Sequence, residues 1–568
     1  MLRIRLIMFA LLIATTPSPA SDPLSAIPDE ADLVIVLEKP TRFVEASRSF
    51  PAIVSALELP AVKELFRLPN VKQFFDLIAL YESELQTDWK TLLNDVAGNG
   101  IAIGSKTDGG AAVIVIDGTK PKVSEAFLNS VLKLVAREAA KDADKPEELR
   151  RVKHGDIDSV HFGKEFHAAR NGARLYFANN EEALHKTLLN TPKKTRTDAR
   201  LEARKLLSGS PDAWLWFDLA AAKDTQAGRD FYSATKRDAI QNLVVGGTID
   251  ALGRADFLAA GLTIAPKGLD VTIRVPSKRS ELRPELAMHV PPAGTPGSLP
   301  LLEPAGVLAS MSLYLDAKTF YIERDKLMND NQKADFDQGV KDISKFLPGS
   351  SIRKLFEQMG PYHRLVMLDR VAPLYKASPE QPIPGFAYIG TMRDPAYAKT
   401  ATGVLRAAAL IGTPSSGLTM TEQTIESVNV VVYRFSEAKQ LQDDLEGLRF
   451  QFSPCFAIVG DNLVVGSRPD VLAPVIIALR TEKKSEGDPA VWRAKAYGNG
   501  VAGLIGKIPE PLVTNLMLTR NLSLKAAEAE TKQIAAWFET LGAVEFRLDH
   551  RERDYEMKLQ WTLPEAAK

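Results

Sequence analysis

The chain has 568 residues, of which 45% are hydrophobic, 25% charged and 7% aromatic, a balance that excludes collagen-like, low-complexity and wholly disordered chains. Lys and Arg total 71 against 71 Asp and Glu, so the chain lacks the positive surplus with which nucleic-acid binders displace counterions from phosphates. One cysteine, Cys455, excludes an intrachain disulfide and a cysteine-built structural zinc site.

The N-terminus, MLRIRLIMFALLIATTPSPA (1–20), has the parts of an export signal. Arg3 and Arg5 form a basic start, Leu6 to Ala14 is a short apolar core, and Ser18-Pro19-Ala20 supplies the small residues that predict cleavage before Ser21. The apolar core is shorter than the roughly 20 residues that span a bilayer, and no later segment is long and apolar enough to do so. The expectation is a mature chain that is soluble outside the cytoplasm, without a transmembrane segment.

A first module is predicted over 27–288. It opens with a strand at 33–37 and helices over 41–48, 60–82 and 86–96. Residues 99–118 read as a hairpin, with KTDGG supplying the turn. Val123, Phe127, Val131, Leu134 and Val135 give 121–141 a helical period. Strands at 158–162, 165–170 and 173–178 precede a helix at 181–189, a strand at 213–219, a helix at about 229–245 and two closing strands. HVPPAGTPGSLPLLEPAG (289–306) is too rich in proline and glycine for regular structure and reads as a linker. The second module, 301–564, predicts strands at 307–315, 363–370, 386–393, 419–425, 428–435, 449–459 and 462–467. Helices are expected through 356, at 395–410, 469–480 and about 510–540, and two strands close the module.

The modules resemble each other. ARLYFANNEEAL (173–184) matches DNLVVGSRPDVL (461–472) at an offset of 288, and SPDAWLWFDL (210–219) with NGVAGLIGKI (499–508) and LGRADF (252–257) with LGAVEF (541–546) follow at 289. ADLVIVLEKPTRFVE (31–45) resembles ASMSLYLDAKTFYIE (309–323), with Phe43 and Phe320 offset by 277. The second copy then carries about eleven extra residues, placed in loops near 329–332 and 373–384. Hairpins alternate with helices without a regular strand-helix rhythm, which predicts an α+β fold of two tandem homologous modules, each a largely antiparallel sheet covered by helices.

Chemical motifs are sparse. GNGIAIGSKT (98–107) imitates a phosphate loop, but five residues separate Gly98 from Gly104 where four are needed, and Ile-Ala-Ile is strand material. Of seven histidines, His154, His161 and His167 are close in sequence, yet they fall in strand-like segments. His161 lies between Val160 and Phe162, so alternation turns it away from them, toward solvent. No metal site or cofactor is expected. Trp214 and Trp216 share one strand face and are the candidate ligand-binding residues, able to stack on a sugar or peptide, or else to be packed beneath a helix. Glu38, Asp218 and Asp316 end strands before helices, where acid-base chemistry and helix capping both use carboxylates. Cys455, in FSPCFAIVG, reads as a small buried hydrophobe. KKTRTDARLEAR (193–204), interrupted by Asp198 and Glu202, reads as a solvated helix face.

IPDEADLVIVLEKP, NEEALHKTL and RPDVLAPVI, with the duplication and the export signal, resemble an exported planctomycete-type bacterial family built from domains of unknown function. That resemblance implies the architecture and no activity. The expected function is a non-enzymatic exported protein that binds a partner or small ligand. The alternatives are a carrier of an apolar or glycan ligand in a cleft between the modules, and a hydrolase whose site is assembled from distant residues.

Overall fold

The computed structural model describes residues 22–564, except 68–81, 84–86, 108, 140–148, 155–156, 190–193, 208, 236–237, 346–350, 380–381, 441–443, 445–446 and 483–488. The export-type segment 1–20 and most of the helix predicted over 60–82 lie outside the described residues. No helix among the described residues is long and apolar enough to cross a membrane.

The chain divides into two compact units. One holds the residues up to Gly228 together with Ala255–Pro276, and the other holds Arg229–Arg254 and everything from Ser277. These borders differ from those read in the sequence. The helix Ala239–Arg254 groups with the second unit, and the Pro/Gly-rich span 289–306 lies wholly inside it. There Ser298 is buried and its hydroxyl donates to the Ala490 carbonyl at 2.6 Å, so this stretch is packed rather than slack.

The first unit contains β1 (Leu33–Leu37), β2 (Gly100–Ser105), β3 (Ala112–Asp117), β4 (Arg150–His154), β5 (Ile157–Phe162), β6 (Phe166–Asn171), β7 (Arg174–Ala178), β8 (Ala213–Asp218), β9 (Phe257–Ala265) and β10 (Gly268–Pro276). Among the described residues these strands pair antiparallel, in the order β10–β9–β8–β1–β2–β3–β7–β6–β5–β4. In the centre, Val36 of β1 faces Ala102 on one side and Trp214 on the other.

Helices cover both faces. On one, α1 (Trp89–Ala97) and α2 (Pro121–Ala139) lay Val96, Phe127 and Val131 over Ile101, Ile116 and Leu175. On the other, α3 (Glu181–Leu189) and α4 (Lys194–Leu206) bring Leu184 and Ala203 against Val34, Val115 and Trp216. Asp88 starts α1 by accepting from the Lys90 and Thr91 amides, which meets two of the donors left open at a helix start.

The basic run at 193–204 is only partly solvated. Arg200 of α4 is fully buried, and its guanidinium donates to the carbonyls of Ile27, Pro28 and Ala31 at 3.2, 3.0 and 2.9 Å. It also lies 5.2 Å over the Trp216 ring, while Arg204 pairs with Glu38. The alternation of basic and acidic residues concealed one arginine that ties the irregular N-terminal segment to the sheet.

The second unit contains β11 (Val307–Tyr314), β12 (Met359–Leu368), β13 (Gly385–Met392), β14 (Leu418–Ile425), β15 (Val428–Phe435), β16 (Cys455–Val459), β17 (Asn462–Gly466), β18 (Ala490–Tyr497), β19 (Ala543–His550) and β20 (Asp554–Thr562). Its antiparallel order is β20–β19–β18–β11–β12–β13–β17–β16–β15–β14. Position for position, this is the order of the first unit. Val471, Leu472 and Ile476 pack on one face against Val366, Val432 and Val464, and Tyr397 and Ala401 pack on the other beside Leu463.

Both sheets are antiparallel and helix-covered, an α+β architecture. Two local readings fail. NGVAGLIGKI, matched in sequence to the Trp214 strand, lies mostly in the helix Gly498–Lys507, and the strand between β11 and β19 is AVWRAKAY just before it. Asn329, placed in a loop, caps the helix Asp330–Ser344 by accepting from the Gln332 amide at 3.0 Å.

Arg200→Ala leaves three buried carbonyls without their donor and should destabilise the protein by about 3 kcal/mol or more. Lysine, which lacks the guanidinium fork, should not restore it. Denaturant midpoints of the wild type and both variants measure this.

Candidate functional site

The densest group of chemistry-bearing side chains lies at the β4–β5–β6 end of the first sheet. The β5–β6 hairpin sets His161 opposite His167, and β4 sets Arg150 opposite His161. Paired residues share a face, here the face covered by α3. Glu181 opens α3, and a carboxylate oxygen of Glu181 and ring nitrogens of His161 and His167 all lie within 4.8 Å of one another. His185, one turn further along α3, meets His154 of β4, Nδ1 to Nδ1 at 3.0 Å. Four of the seven histidines are therefore gathered here.

The sequence reading turned His161 toward solvent, but it is 2% exposed and His167 is 3% exposed. Alternation did turn His161 away from Val160 and Phe162. The face it turned to is itself roofed by a helix.

The hydrogen bonds around the pair are directional. The Ser159 hydroxyl donates to the Val152 carbonyl at 2.8 Å and lies 2.8 Å from His161 Nε2. His167 Nε2 lies 3.2 Å from the Lys164 carbonyl. The two Nδ1 atoms are 2.7 Å apart. Burial lowers the His161 pKa. Burial, together with the neighbouring His185, does the same to His154, whose Nε2 is buried without a hydrogen-bond partner. Although desolvation opposes it, Glu181 is held below the usual carboxylate range by its bond to Arg150 and by the nearby His161.

The remaining candidates serve the fold. Trp214 and Trp216 are each 3% exposed and belong to the core beneath α4, so neither ring offers a face to a ligand. Cys455 is 1% exposed, its thiol donates to the Gly466 carbonyl, and burial pushes its pKa up to about 12. Asp218 caps the following helix through the Ala221 amide at 2.9 Å, and Asp316 does so through Lys318 at 3.1 Å. Glu38 does not cap; it pairs with Arg204. In the phosphate-loop lookalike, Gly100–Ser105 is strand β2, and a Cβ on Gly104 would stand 2.5 Å from the Ile27 side chain. That glycine is there for close packing.

Outside the cluster, His289 Nε2 bonds the Asn242 carbonyl at 2.7 Å, and His363 sits between the Tyr388 hydroxyl and the Leu315 carbonyl. His550 is 6% exposed and neither ring nitrogen has a hydrogen-bond partner. Burial, with Arg279, Arg254 and His289 adding and Asp250 opposing, pushes it down to about 4. The second unit also carries a groove of about 700 Å³ lined by Leu301, Leu302, Pro304, Pro474, Ile477 and Ala478.

No family model and no curated protein matches the chain. Among solved structures, crystal form I of TP0453 gives a TM-score of 0.23 at 10% identity, covering 47% of this chain and 82% of that one. Form III gives 0.22 at 12% over 47% and 84%, and form IV gives 0.21 at 10% over 45% and 81%. At such scores the likeness carries no argument about fold or function.

Two outcomes follow. The Cys455 thiol should resist a thiol reagent at pH 8 in the folded protein and react once per chain in denaturant, since the reactive species is the thiolate. For His550, the unfolded chain accepts a proton near the ordinary value of 6.5, whereas the folded chain resists it until about pH 4. The His550 contribution to stability should therefore be constant above pH 7 and fall by about 3 kcal/mol as the pH drops from 6.5 towards 4. The urea midpoints of the wild type minus those of His550→Gln, taken across this range, isolate that share.

Proposed function

We propose that this is an exported protein of two homologous α+β modules that acts by binding rather than by covalent catalysis. The observation that carries the reading is the use already made of its reactive groups. Cys455 is buried with a raised pKa, Asp218 and Asp316 cap helices, and Glu38 is held by Arg204. A hydrolytic site drawn from these residues would have to dismantle local structure first.

The duplication is supported by the identical strand order of the two units and by the sequence matches that run through them. Export is supported by the basic start, short apolar core and small residues of positions 1–20. The resemblance to the exported planctomycete-type family agrees with both.

A second reading, a carrier of an apolar ligand, is favoured by the groove in the second unit, whose size and mainly apolar lining, edged by Glu303, Thr481 and Glu482, suit a small molecule. The test is native mass spectrometry of the protein purified from its host's extracytoplasmic fraction. The expected mass begins at Ser21. An adduct of defined mass, lost on denaturation, selects the carrier; the bare mature chain or a complex with a second protein leaves partner binding. A chain beginning at Met1 and confined to the cytoplasm overturns the export reading.

A further inference from the structure

The hydrogen bonds around His161 and His167 admit an arrangement in which the two facing ring nitrogens both accept. The Ser159 hydroxyl lies 2.8 Å from the Val152 carbonyl and 2.8 Å from His161 Nε2, and its single hydrogen serves one of them at a time. When that hydrogen is on the carbonyl, the oxygen can only accept from His161, which places the His161 proton on Nε2. The Lys164 carbonyl is an acceptor as well, which places the His167 proton on Nε2. In that arrangement both neutral rings aim bare Nδ1 lone pairs at each other across 2.7 Å, in a buried setting. Two acceptors at that distance repel unless a cation lies between them.

A proton shared between the two Nδ1 atoms would serve. A metal ion would serve better, because Glu181 brings a carboxylate oxygen within 4.8 Å of the ring nitrogens. The sequence predicts no metal site, and the proposal that follows departs from that expectation. We propose that His161 Nδ1, His167 Nδ1 and Glu181 bind a divalent first-row transition ion of the zinc class.

The donor set of two imidazoles and a carboxylate suits such ions, and three protein ligands leave a coordination position open. The surroundings match those of metal-bound histidines, whose second ring N–H is held by a carbonyl or another oxygen. Ser159 and the Lys164 carbonyl play that part, and Arg150 anchors one oxygen of Glu181. Nitrogens on one tetrahedral zinc at bonds of about 2.0–2.1 Å stand roughly 3.3 Å apart, so the rings need to separate only slightly. The half-exposed Glu181 gives the ion a way in from solvent. The inference rests on the first unit alone and stands or falls independently of the export and carrier readings.

The test uses the untagged mature chain, stripped with a chelator and titrated with zinc against a chromophoric competitor, then with cobalt. The expected result is one zinc per chain and a cobalt spectrum of four- or five-coordinate type. His161→Gln, His167→Gln and Glu181→Gln should each weaken binding at least tenfold. Ser159→Ala should weaken it by about tenfold through the orientation of His161. His289→Gln should leave it unchanged. Circular dichroism checks that each variant is folded, and the wild-type cobalt spectrum reads the site without any substitution. Wild-type affinity no better than that of His161→Gln overturns the proposal. So does binding that is lost in the His154→Gln/His185→Gln double variant but retained in His161→Gln, since the ion would then sit at the outer pair.

Discussion

In the first unit the middle of the sheet is covered by helices on both faces, and several other features follow from that constraint. Strands with two dry faces cannot alternate cleanly between apolar and polar. GIAIGS and AVIVID are accordingly buried at nearly every position. Any polar group admitted to such a sheet needs an internal partner, because water is not at hand. Arg200 meets this demand with three backbone carbonyls and the Trp216 ring. Arg174 and Asp117 meet it with each other across β3 and β7.

The same constraint decides what was legible in the sequence. Hairpins with strong turns and long periodic helices could be read: KTDGG joins β2 to β3, and the 121–141 period became α2. Elements that break the simple patterns could not. RRVKH is charged and still forms β4 at the end of the sheet. AVWRAKAY forms β18 although its polar residues interrupt the apolar pattern, while the glycine-rich run after it looked like a strand and is a helix. The segment read as one helix over 229–245 is two, Gln226–Thr235 and Ala239–Arg254.

The histidine cluster shows where single-strand reasoning stops. Alternation gave the direction of His161 correctly and its environment wrongly, because the cover comes from α3, which follows two strands later. The spacing of His161 and His167 did contain a signal: a tight hairpin between them puts the two side by side. His185 and Glu181, four apart on a helix, added the other wall. Only the pairing register brings these pieces into one place. What they form there is a cluster of imidazoles and one carboxylate, chemically unlike the mainly apolar groove of the second unit.

The strand order has a consequence for how the chain comes to be folded. β1 is made first yet sits in the middle of its sheet, and its partner β8 is met in the register Leu33 with Phe217. Roughly 180 residues separate them; at a synthesis rate of about 5–20 residues per second, one edge of β1 stays open for roughly 10–40 s. β11 faces the same interval before β18 arrives. During it, apolar strands with unfilled backbone donors and acceptors are exposed to every neighbouring chain. A cell that makes this protein must shield two such edges in succession, and the burden falls on nascent-chain holding factors rather than on the finished molecule.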